Sequence, residues 1–361
     1  MIEYEQTRKN LLEKIETLSR TGLGNFKVLS MSDFILDHTL YIDDLDSFFD
    51  NIKKYYKQGG GDFTAVKQNI QSGGCSTNAA MCLGNLGLDT YFIGRTSQLG
   101  ERLLEFFLEK KNINIKHIKT DGALGLMTIF EIGNRKINIM VGDLDSLSAL
   151  RYKDLDNEDK KIISSCDLVG IFGWAMNKTG TDLAHNVFNY AKKTDTLTYF
   201  DTADPSSRSK EIEDLFNLAI ANSNLDILSL NENELNHYSN FITDKAASLN
   251  ICEKGILLEK NIPAKLDIHT ALYAVSIENG EVCTIPSFKV SVKRATGAGD
   301  MFNSGNILGY LLKLKSSERL MLANAMACFY ISSDTITQPR IEDIGNFISD
   351  KPLEHPDSFF N

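Results

Sequence analysis

The sequence lacks long apolar runs, paired cysteines and any excess of positive charge. No stretch of about 18 uncharged apolar residues occurs in the 361 residues, so we expect no membrane-spanning segment. The 6 cysteines form no Cys-x-x-Cys pair, which predicts buried thiols in a reducing compartment rather than zinc ligands or disulfides. Lys and Arg number 38 against 48 Asp and Glu, and the resulting net charge of −10 argues against nucleic acid as a partner.

Other absences narrow the class further. Only 6 prolines occur, and 42% hydrophobic with 24% charged residues is a globular composition. Residues 1–20 mix Glu, Lys and Arg without an apolar run, so we expect no signal peptide and a cytoplasmic protein. A Walker phosphate loop and an early Gly-x-Gly-x-x-Gly motif are both missing, which disfavours ordinary P-loop and dinucleotide-binding folds.

Short apolar strands and helical segments alternate along most of the chain. Residues 1–20 predict an amphipathic helix, and residues 27–30 the first core strand, continuing toward Ile35 and Leu36. Residues 43–61 predict a loop or a peripheral insertion. The alternation favours a mostly parallel sheet with helices on both faces. Further strands are predicted at residues 90–93, 113–118, 168–172, 196–201 and 227–230, and helices at 77–86, 100–111, 182–192, 210–218, 232–238, 298–314 and 317–332.

Two hairpin signals interrupt this alternation. Gly133-Asn134-Arg135 lies between the apolar runs of residues 126–141, and Asn279-Gly280 lies within residues 266–285. The first hairpin, with part of residues 34–70, predicts a small β lid. We therefore divide the chain into a helical extension (residues 1–26), one large domain (27–350) with its lid from parts of 34–70 and 121–142, and an exposed tail (351–361).

The segment around residues 293–305 is the most informative about chemistry. Gly297-Ala298-Gly299 stands where a predicted strand turns into a helix, and the unpaired N–H groups at such a helix start can bind an anion. Asp300 in the first turn could accept a proton from an attacking hydroxyl, which predicts phosphoryl transfer. From Gly297-Ala298-Gly299-Asp300 alone, a structural interpretation, with Asp300 as a helix cap and the glycines in a simple turn, is about as good as the phosphoryl-transfer interpretation.

Four motifs, in order along the chain, resemble those of the ribokinase-like (PfkB) carbohydrate kinases. They are the signature Thr296-Gly297-Ala298-Gly299-Asp300, the pair Gly73-Gly74 followed by Asn78-Ala79-Ala80, the Asn-x-x-Glu sequence of residues 231–234, and Asp37, which falls where the family keeps a substrate-binding Asp after the first strand. The resemblance runs from about residue 27 to 346. It implies an α/β fold of the ribokinase-like three-layer α/β/α type, with a mostly parallel central sheet and a small β-sheet lid.

The resemblance also implies an ATP-dependent transfer of the γ-phosphoryl group to a hydroxyl of a sugar or sugar-like substrate. Asp300 would be the general base, and the backbone of Gly297, Ala298 and Gly299 would form the anion hole. By the same resemblance, lid strands that pair between subunits would make a homodimer. The remaining implied roles are substrate binding by Asp37, Gly73, Gly74 and Asn78, nucleotide binding by Asn231, Thr296 and Asn324, and organisation of Mg²⁺ through water by Glu234.

Alternatives remain open at this stage. A nucleoside (adenosine-like) or heptose-phosphate kinase would use the same motifs, and a non-catalytic sugar-binding relative would keep the fold. Asn231 and Glu234 fit a helix capping box equally well, and Asn324 fits plain helix packing.

Some positions depart from the family pattern. Arg294 stands where relatives have Asp or Asn, a position that helps to bind an activating monovalent cation, so we expect that activity does not require potassium. Asp267 and Thr270 align with a glycine-containing loop near the nucleotide phosphates, which predicts altered nucleotide binding. Arg208, in an Asp-Pro turn, could reach an acidic group on a substrate.

Overall fold

The computed structural model describes residues 2–64, 66–109, 112–133, 137–143, 149–294, 296–335 and 338–355. None of the helices in these ranges combines the length and apolar character that a bilayer crossing requires. The α-helices are α1 (Ile2–Thr21), α2 (Leu45–Gln58), α3 (Cys75–Asn85), α4 (Gln98–Phe107), α5 (Asn157–Ser165), α6 (Gly180–Ala191), α7 (Ile212–Leu215), α8 (Glu232–Ile242), α9 (Ile251–Glu259), α10 (Ala298–Leu311), α11 (Ser316–Ser332) and α12 (Ile341–Asp350).

The strands form two separate sheets. The order of the larger sheet is β13-β12-β11-β10-β9-β8-β1-β4-β5, and that of the smaller sheet is β3-β2-β6-β7. The strands are β1 (Lys27–Ser32), β2 (Ile35–Ile42), β3 (Lys67–Gly73), β4 (Asp89–Gly94), β5 (Ile113–Asn114), β6 (Gly125–Ile132), β7 (Ile137–Gly142), β8 (Leu168–Ile171), β9 (Leu197–Asp201), β10 (Ile227–Asn231), β11 (Lys265–His269), β12 (Tyr273–Glu278) and β13 (Glu281–Pro286).

The larger sheet is mostly parallel, as the alternation of helices and strands predicts. All neighbouring pairs from β11 to β5 are parallel, and β12 and β13 add the predicted antiparallel hairpin at one edge. Successive residues of its strands face opposite sides, so the sheet carries an apolar core on each face. Val187 of α6 and Leu235 of α8 pack in one core, and Leu83 of α3 and Ile307 of α10 pack in the other. The result is three layers, helix on sheet on helix.

One face of the smaller sheet points toward the larger sheet, and the other points away from it. Its register places Ile35, Met127, Ile129 and Met140 on the face that lines a cavity against the larger sheet. The predicted hairpin is present as the antiparallel pair β6 and β7, although Asn134 and Arg135 of its turn lie outside the described residues. The sequence prediction of a small sheet from these segments is therefore confirmed.

The predicted continuation of the first strand toward Ile35 and Leu36 is wrong. β1 ends at Ser32, and β2 begins at Ile35 in the other sheet. Between them, the Asp33 carboxylate accepts hydrogen bonds from the N–H groups of Cys75 (2.9 Å) and Ser76 (2.8 Å). These bonds tie the chain to the start of α3, where it leaves the larger sheet. Asp37 therefore lies inside β2 rather than just after the first strand.

The loop predicted at residues 43–61 is also wrong, because α2 occupies most of it. Asp44 caps this helix by accepting hydrogen bonds from the N–H groups of Asp46 and Ser47, and Gly59 ends it at φ +89°. Phe48 is buried, with its ring centroid 6.3 Å from that of Phe130 on β6. The polar and aromatic composition that suggested a loop is that of a helix with one apolar stripe.

Smaller corrections concern three helices, one strand and the end of the chain. Helices α5, α9 and α12 are not predicted by the sequence analysis, and the strand expected at residues 113–118 shortens to Ile113–Asn114. The N–H of Lys289 donates to the carbonyl of Pro352, and that of Glu354 to the carbonyl of Ser287, each at 2.8 Å. Residues 351–355 are thus bonded to the domain rather than free, and residues 356–361 lie outside the described part.

Candidate active site

A cavity of about 280 Å³ lies between the smaller sheet and the carboxyl ends of the strands of the larger sheet. This is where open α/β sheets usually bind ligands, and the volume is close to the lower end for small-molecule sites, about 300–1,000 Å³. Most of the predicted site residues meet here although they are far apart in the sequence. They are Asp37, Gly74, Asn78, Asn231, Glu234, Thr296, Gly297, Gly299 and Asp300.

The start of α10 places Asp300 at the cavity. Gly297 is the N-cap residue at φ +87°, and a Cβ there would lie 2.9 Å from the Tyr330 ring, so both conformation and space favour glycine. Ala298 and Gly299 open the helix, whose first N–H groups have no partner within the helix. Gly299 also approaches His269 closely, since a Cβ there would lie 3.3 Å from Cε1 of that ring.

Asp300 is a buried carboxyl group with an unusually high proton affinity. Burial raises the pKa of Asp300 well above its usual range, and the nearby carboxylates of Asp201 and Asp33 raise it further. The Asn78 side-chain amide opposes this shift by donating to Oδ2 at 2.7 Å. A carboxylate with a raised pKa is a stronger base than a free Asp, which suits proton abstraction from a hydroxyl. Asn78, predicted to bind substrate, here orients the predicted base.

Asp37 and the glycine pair form a second contact region. A Cβ on Gly73 would lie 2.3 Å from the Asp37 carboxyl group, so glycine is needed beside this side chain. Gly74 has φ +95° and would place a Cβ 3.0 Å from Asp33. Burial, followed by the charge of Asp33, raises the pKa of Asp37 to about 7. The carboxyl group of Asp37 can therefore both donate to and accept from hydroxyl groups near neutral pH.

Asn231 and Glu234 form the capping box that their spacing allows, and they also line the cavity. Oδ1 of Asn231 accepts from the N–H of Glu234 (3.0 Å), and Oε2 of Glu234 accepts from the N–H of Asn231 (2.9 Å). Burial, with the charge of Asp201 as the next cause, raises the pKa of Glu234 well above its usual range. The structural and the functional interpretation of this pair are therefore compatible.

Thr296 connects the smaller sheet to the start of α10. Its Oγ1 accepts a hydrogen bond of 2.7 Å from the side-chain amide of Asn138 on β7. The sequence analysis did not single out Asn138, because nothing local to residue 138 signals a partner 158 positions away.

Two residues considered from the sequence, Asn324 and Arg208, lie in structural roles. Asn324 is buried on α11, where its amide donates to the carbonyls of Ile285 and Pro286, each at 3.2 Å, and it does not line the cavity. The guanidinium of Arg208 donates to the carbonyls of Trp174 and Asn177 inside the fold, so it is not placed to reach a substrate. Its neighbour Glu211 pairs with the same group.

Asp267 and Thr270 take part in hydrogen bonds and ion pairs within the fold, and their influence on nucleotide binding stays a prediction. Asp267 is fully buried and pairs with Arg319, with Oδ2 to Nη1 at 2.8 Å. Thr270 holds the turn between β11 and β12, where its hydroxyl accepts from the N–H groups of Leu272 and Tyr273. Neither residue lines the cavity.

Four polar residues that line the cavity were not predicted from the sequence, namely Asp33, Asp201, Asp204 and His269. Asp33, Asp201 and His269 stand at or just after the carboxyl ends of strands, which is the one signal that could have found them. Asp201 also makes the predicted turn, since its Oδ1 accepts from the N–H of Ala203 (2.9 Å). Burial lowers the pKa of His269 to about 4, so its imidazole is neutral at physiological pH.

Comparisons with known proteins agree with this geometry. The sequence profile of the pfkB family carbohydrate kinases matches residues 42–342. The chain is 26% identical over 273 residues to 5-dehydro-2-deoxygluconokinase 2 of Bacillus cereus, covering 72% of this chain and 80% of that protein.

Two solved structures share the fold. Arabidopsis thaliana ribokinase, complexed with ribose and ATP, superposes with a TM-score of 0.68 at 15% identity over 90% of this chain and 98% of that one. Adenosine kinase from Sinorhizobium meliloti gives a TM-score of 0.66 at 17% identity, covering 87% and 95% of the two chains. The fold is therefore ribokinase-like, and because the family profile spans most of the sequence, the chain belongs to the pfkB family of carbohydrate kinases.

Proposed function

We propose that this kinase transfers the γ-phosphoryl group of ATP to a hydroxyl of a sugar-type acceptor, with Asp300 as general base. The observation that carries this proposal is the position of Asp300, which lies in the first turn of α10 and is held by Asn78 at the cavity. The backbone of Gly297, Ala298 and Gly299 supplies N–H groups next to it. Base and anion site thus share one helix start, which places the proton acceptor beside the N–H groups that stabilise charge on the transferring group.

The reaction then uses this chain's residues in a simple order. The acceptor hydroxyl lies between Asp37 and Asp300 and is positioned by their carboxyl groups. Asp300 takes the proton as the hydroxyl oxygen forms its bond to the γ-phosphorus, and the bond from that phosphorus to the ADP oxygen breaks. The N–H groups at the start of α10 stabilise the charge on the transferring group, and the helix dipole adds to their effect.

Replacing Asp300 tests this proposal. We expect Asp300→Asn to lower kcat by about 10²–10⁴-fold, because an amide cannot accept the proton, while the fold is kept. Product formation with ATP, Mg²⁺ and a panel of sugars measures the effect. Asp182→Asn is the matched control, since Asp182 also lies in the first turn of a helix, α6, and does not line the cavity. Unchanged transfer by Asp300→Asn would remove this residue from the base role.

Glu234 is the residue we propose to organise Mg²⁺. Its carboxylate lines the cavity and is fixed by Asn231, whose N–H and side-chain amide donate to it at 2.9 and 2.7 Å. In the described ranges no cluster of three or more acidic, His or Cys side chains is arranged to hold a metal. A single fixed carboxylate suits an ion that keeps much of its water and takes phosphate ligands. Bound there, Mg²⁺ would supply charge neutralisation of the phosphates.

Arg294 supports the proposal that activity does not require a monovalent cation. Its guanidinium donates to three backbone carbonyls near the end of α11, those of Tyr330 (3.3 Å), Ser333 (2.9 Å) and Thr335 (2.8 Å). Backbone carbonyls of this kind are the ligands that a bound potassium ion would use. A fixed positive charge therefore occupies the carbonyls that would otherwise surround such an ion, and these residues do not fit a cation site.

A potassium titration at constant ionic strength tests this. We expect kcat of the native protein to stay unchanged when potassium replaces tetramethylammonium, because the charge of Arg294 is already in place. We expect Arg294→Gln to be slower and to recover part of its rate with potassium. A strong rise in the rate of the native protein on adding potassium would refute the proposal.

We further propose a homodimer through the outer face of the smaller sheet. Large apolar side chains on this face are exposed, although such side chains are usually buried in a monomer. The register of β2, β3, β6 and β7 places them all on the side away from the cavity. They are Ile70, Leu126, Ile137, Ile139 and Val141. Sedimentation equilibrium should give twice the chain mass, and a monomer at micromolar concentration would contradict the proposal.

A further inference from the structure

The cavity has an unusual charge pattern for a site that accepts sugars of any kind. Among the described residues that line it there is no Lys or Arg, and the imidazole of His269 is neutral because burial lowers its pKa to about 4. A carboxylate or phosphate on the acceptor would therefore find no positively charged side chain among these residues. The carboxyl groups that line the cavity are Asp33, Asp37, Asp201, Asp204, Glu234 and Asp300.

Backbone N–H groups do not compensate for this lack of cations. Three helix starts border the cavity, those of α3, α8 and α10. At α8, the N–H groups of Asn233 and Glu234 already donate to Oδ1 of the N-cap residue Asn231, at 2.9 and 3.0 Å. At α3, the N–H groups of Cys75 and Ser76 already donate to the carboxylate of Asp33, at 2.9 and 2.8 Å. The start of α10 is needed by the transferring phosphoryl group. An anionic acceptor therefore finds no free donor cluster for its charge.

The opposite wall of the cavity is apolar and rich in thioether groups. Four of its side chains come from the inner face of the smaller sheet, and Met176 packs against them. Thioethers make favourable contacts with aromatic rings, and their flexible side chains adapt to a flat group. This wall, which we call the methionine wall, consists of Ile35, Met127, Ile129, Met140 and Met176.

From these two walls we infer that the acceptor is an uncharged, nucleoside-type polyol, with its hydroxyls toward Asp37 and Asp300 and its aromatic base against the methionine wall. The inference rests on the proposed function and names its substrate class. It separates this chain from its relative 5-dehydro-2-deoxygluconokinase 2, whose name describes a sugar acid as substrate. It also excludes the sugar phosphates considered from the sequence.

Binding without ATP tests the inference independently of catalysis. We expect adenosine at millimolar concentration to raise the melting temperature, ribose to raise it less, and gluconate and 5-dehydro-2-deoxygluconate to leave it unchanged. A larger shift with either acid than with adenosine and ribose would overturn the inference. This readout stands even if no acceptor is phosphorylated, which would instead contradict the proposed function.

A cation placed in the methionine wall gives the second test. Met140 and Leu218 are similarly exposed, 48% and 46%, but only Met140 of the two lines the cavity. We expect Met140→Lys to shift the ratio of kcat/KM for the acid to that for adenosine at least about tenfold toward the acid, because the lysine gives the carboxylate a partner. The control Leu218→Lys should leave the ratio unchanged, since Leu218 belongs neither to the cavity nor to the proposed dimer face.

The outcomes of this second test are distinct. An unaltered ratio in Met140→Lys, in a variant that melts like the native protein, would count against the cavity charge as the cause of selectivity. Equal shifts in Met140→Lys and Leu218→Lys would count against it as well. A native protein that phosphorylates the acid with the higher kcat/KM would overturn the inference while leaving the proposed phosphoryl transfer intact.

Discussion

Two buried aspartates lie at different ends of α10 and differ in the charge of their neighbours. Asp300 lies at the start of α10, with the amide of Asn78 as its partner and carboxylates as its charged neighbours. Asp267 faces the later part of α10 and accepts from Asn306 (2.9 Å), Tyr310 (2.7 Å) and Arg319 (2.8 Å). The two residues have the same chemistry and similar burial, and only the second has a cation.

The charged partner of a buried carboxyl group decides whether it stabilises the fold or holds a proton strongly. A buried carboxylate with a guanidinium partner is stable in its charged form and fixes the helices around it. A buried carboxylate among other carboxylates holds its proton more strongly, which is useful only where a proton has to be taken from a substrate. The sequence motif around Asp300 and the cavity agree with that role, and the surroundings of Asp267 do not.

Replacing the two aspartates should change the stability of the protein by very different amounts. We expect Asp267→Asn to lower the free energy of unfolding by about 3–5 kcal/mol, because the guanidinium of Arg319 then stays buried without its counter-charge. Asp300→Asn should lose less than about 1 kcal/mol or gain stability, since it removes a carboxyl group that burial disfavours. Urea unfolding of both variants measures the difference.

A double variant controls for this interpretation. Replacing the pair with apolar side chains of similar size, Asp267→Leu with Arg319→Met, removes both charges together, and we expect it to be more stable than Asp267→Asn alone. If Asp267→Asn unfolds at the same urea concentration as the native protein, the Arg319 pair is not what holds this part of the fold. In that case the guanidinium partner of Asp267 would not make its contribution to stability different from that of Asp300.

The same comparison explains what the sequence could predict. Asp300, Gly297 and Glu234 were predicted because their roles are written in a few neighbouring residues at helix starts. The partner of Asp267 is 52 positions away, and the partners of Asp33 are 42 and 43 positions away, so local patterns carry no signal for them. Asp267 was singled out as part of the nucleotide loop, but the side chain of this segment that reaches the cavity is that of His269, two residues later.

The parallel sheet and the smaller sheet were predictable because alternation and turn residues are periodic signals. The chain's departure from the larger sheet at Asp33 was not, since it depends on hydrogen bonds to the start of α3. For this reason Asp37 was identified as a site residue but assigned to the wrong place in the fold. The close contact of Gly73 with Asp37 likewise requires the pairing of β2 with β3, which no single motif shows.

Asp37 offers the smallest test of the comparison, as a carboxyl group of intermediate proton affinity. Its pKa is about 7 in the folded protein and about 3.9 in an unfolded chain. Between pH 3.9 and about pH 7 the folded state binds more protons than the unfolded state. The free energy of unfolding therefore falls as the pH rises through this range and levels off above about pH 7. We expect Asp37→Asn to remove this loss, gaining about 1–3 kcal/mol relative to the native protein from about pH 4 to pH 8.

Chemical unfolding of both proteins at several pH values measures this gain from Asp37→Asn. Asp50→Asn, in the exposed part of α2, is the control that should follow the native curve. A constant difference between Asp37→Asn and the native protein at every pH would mean that Asp37 titrates as it does in the unfolded chain. Asp37 would then not belong to the carboxyl groups of the cavity that lack a compensating charge. The comparison with Asp267 would concern Asp300 alone rather than a whole wall of the cavity.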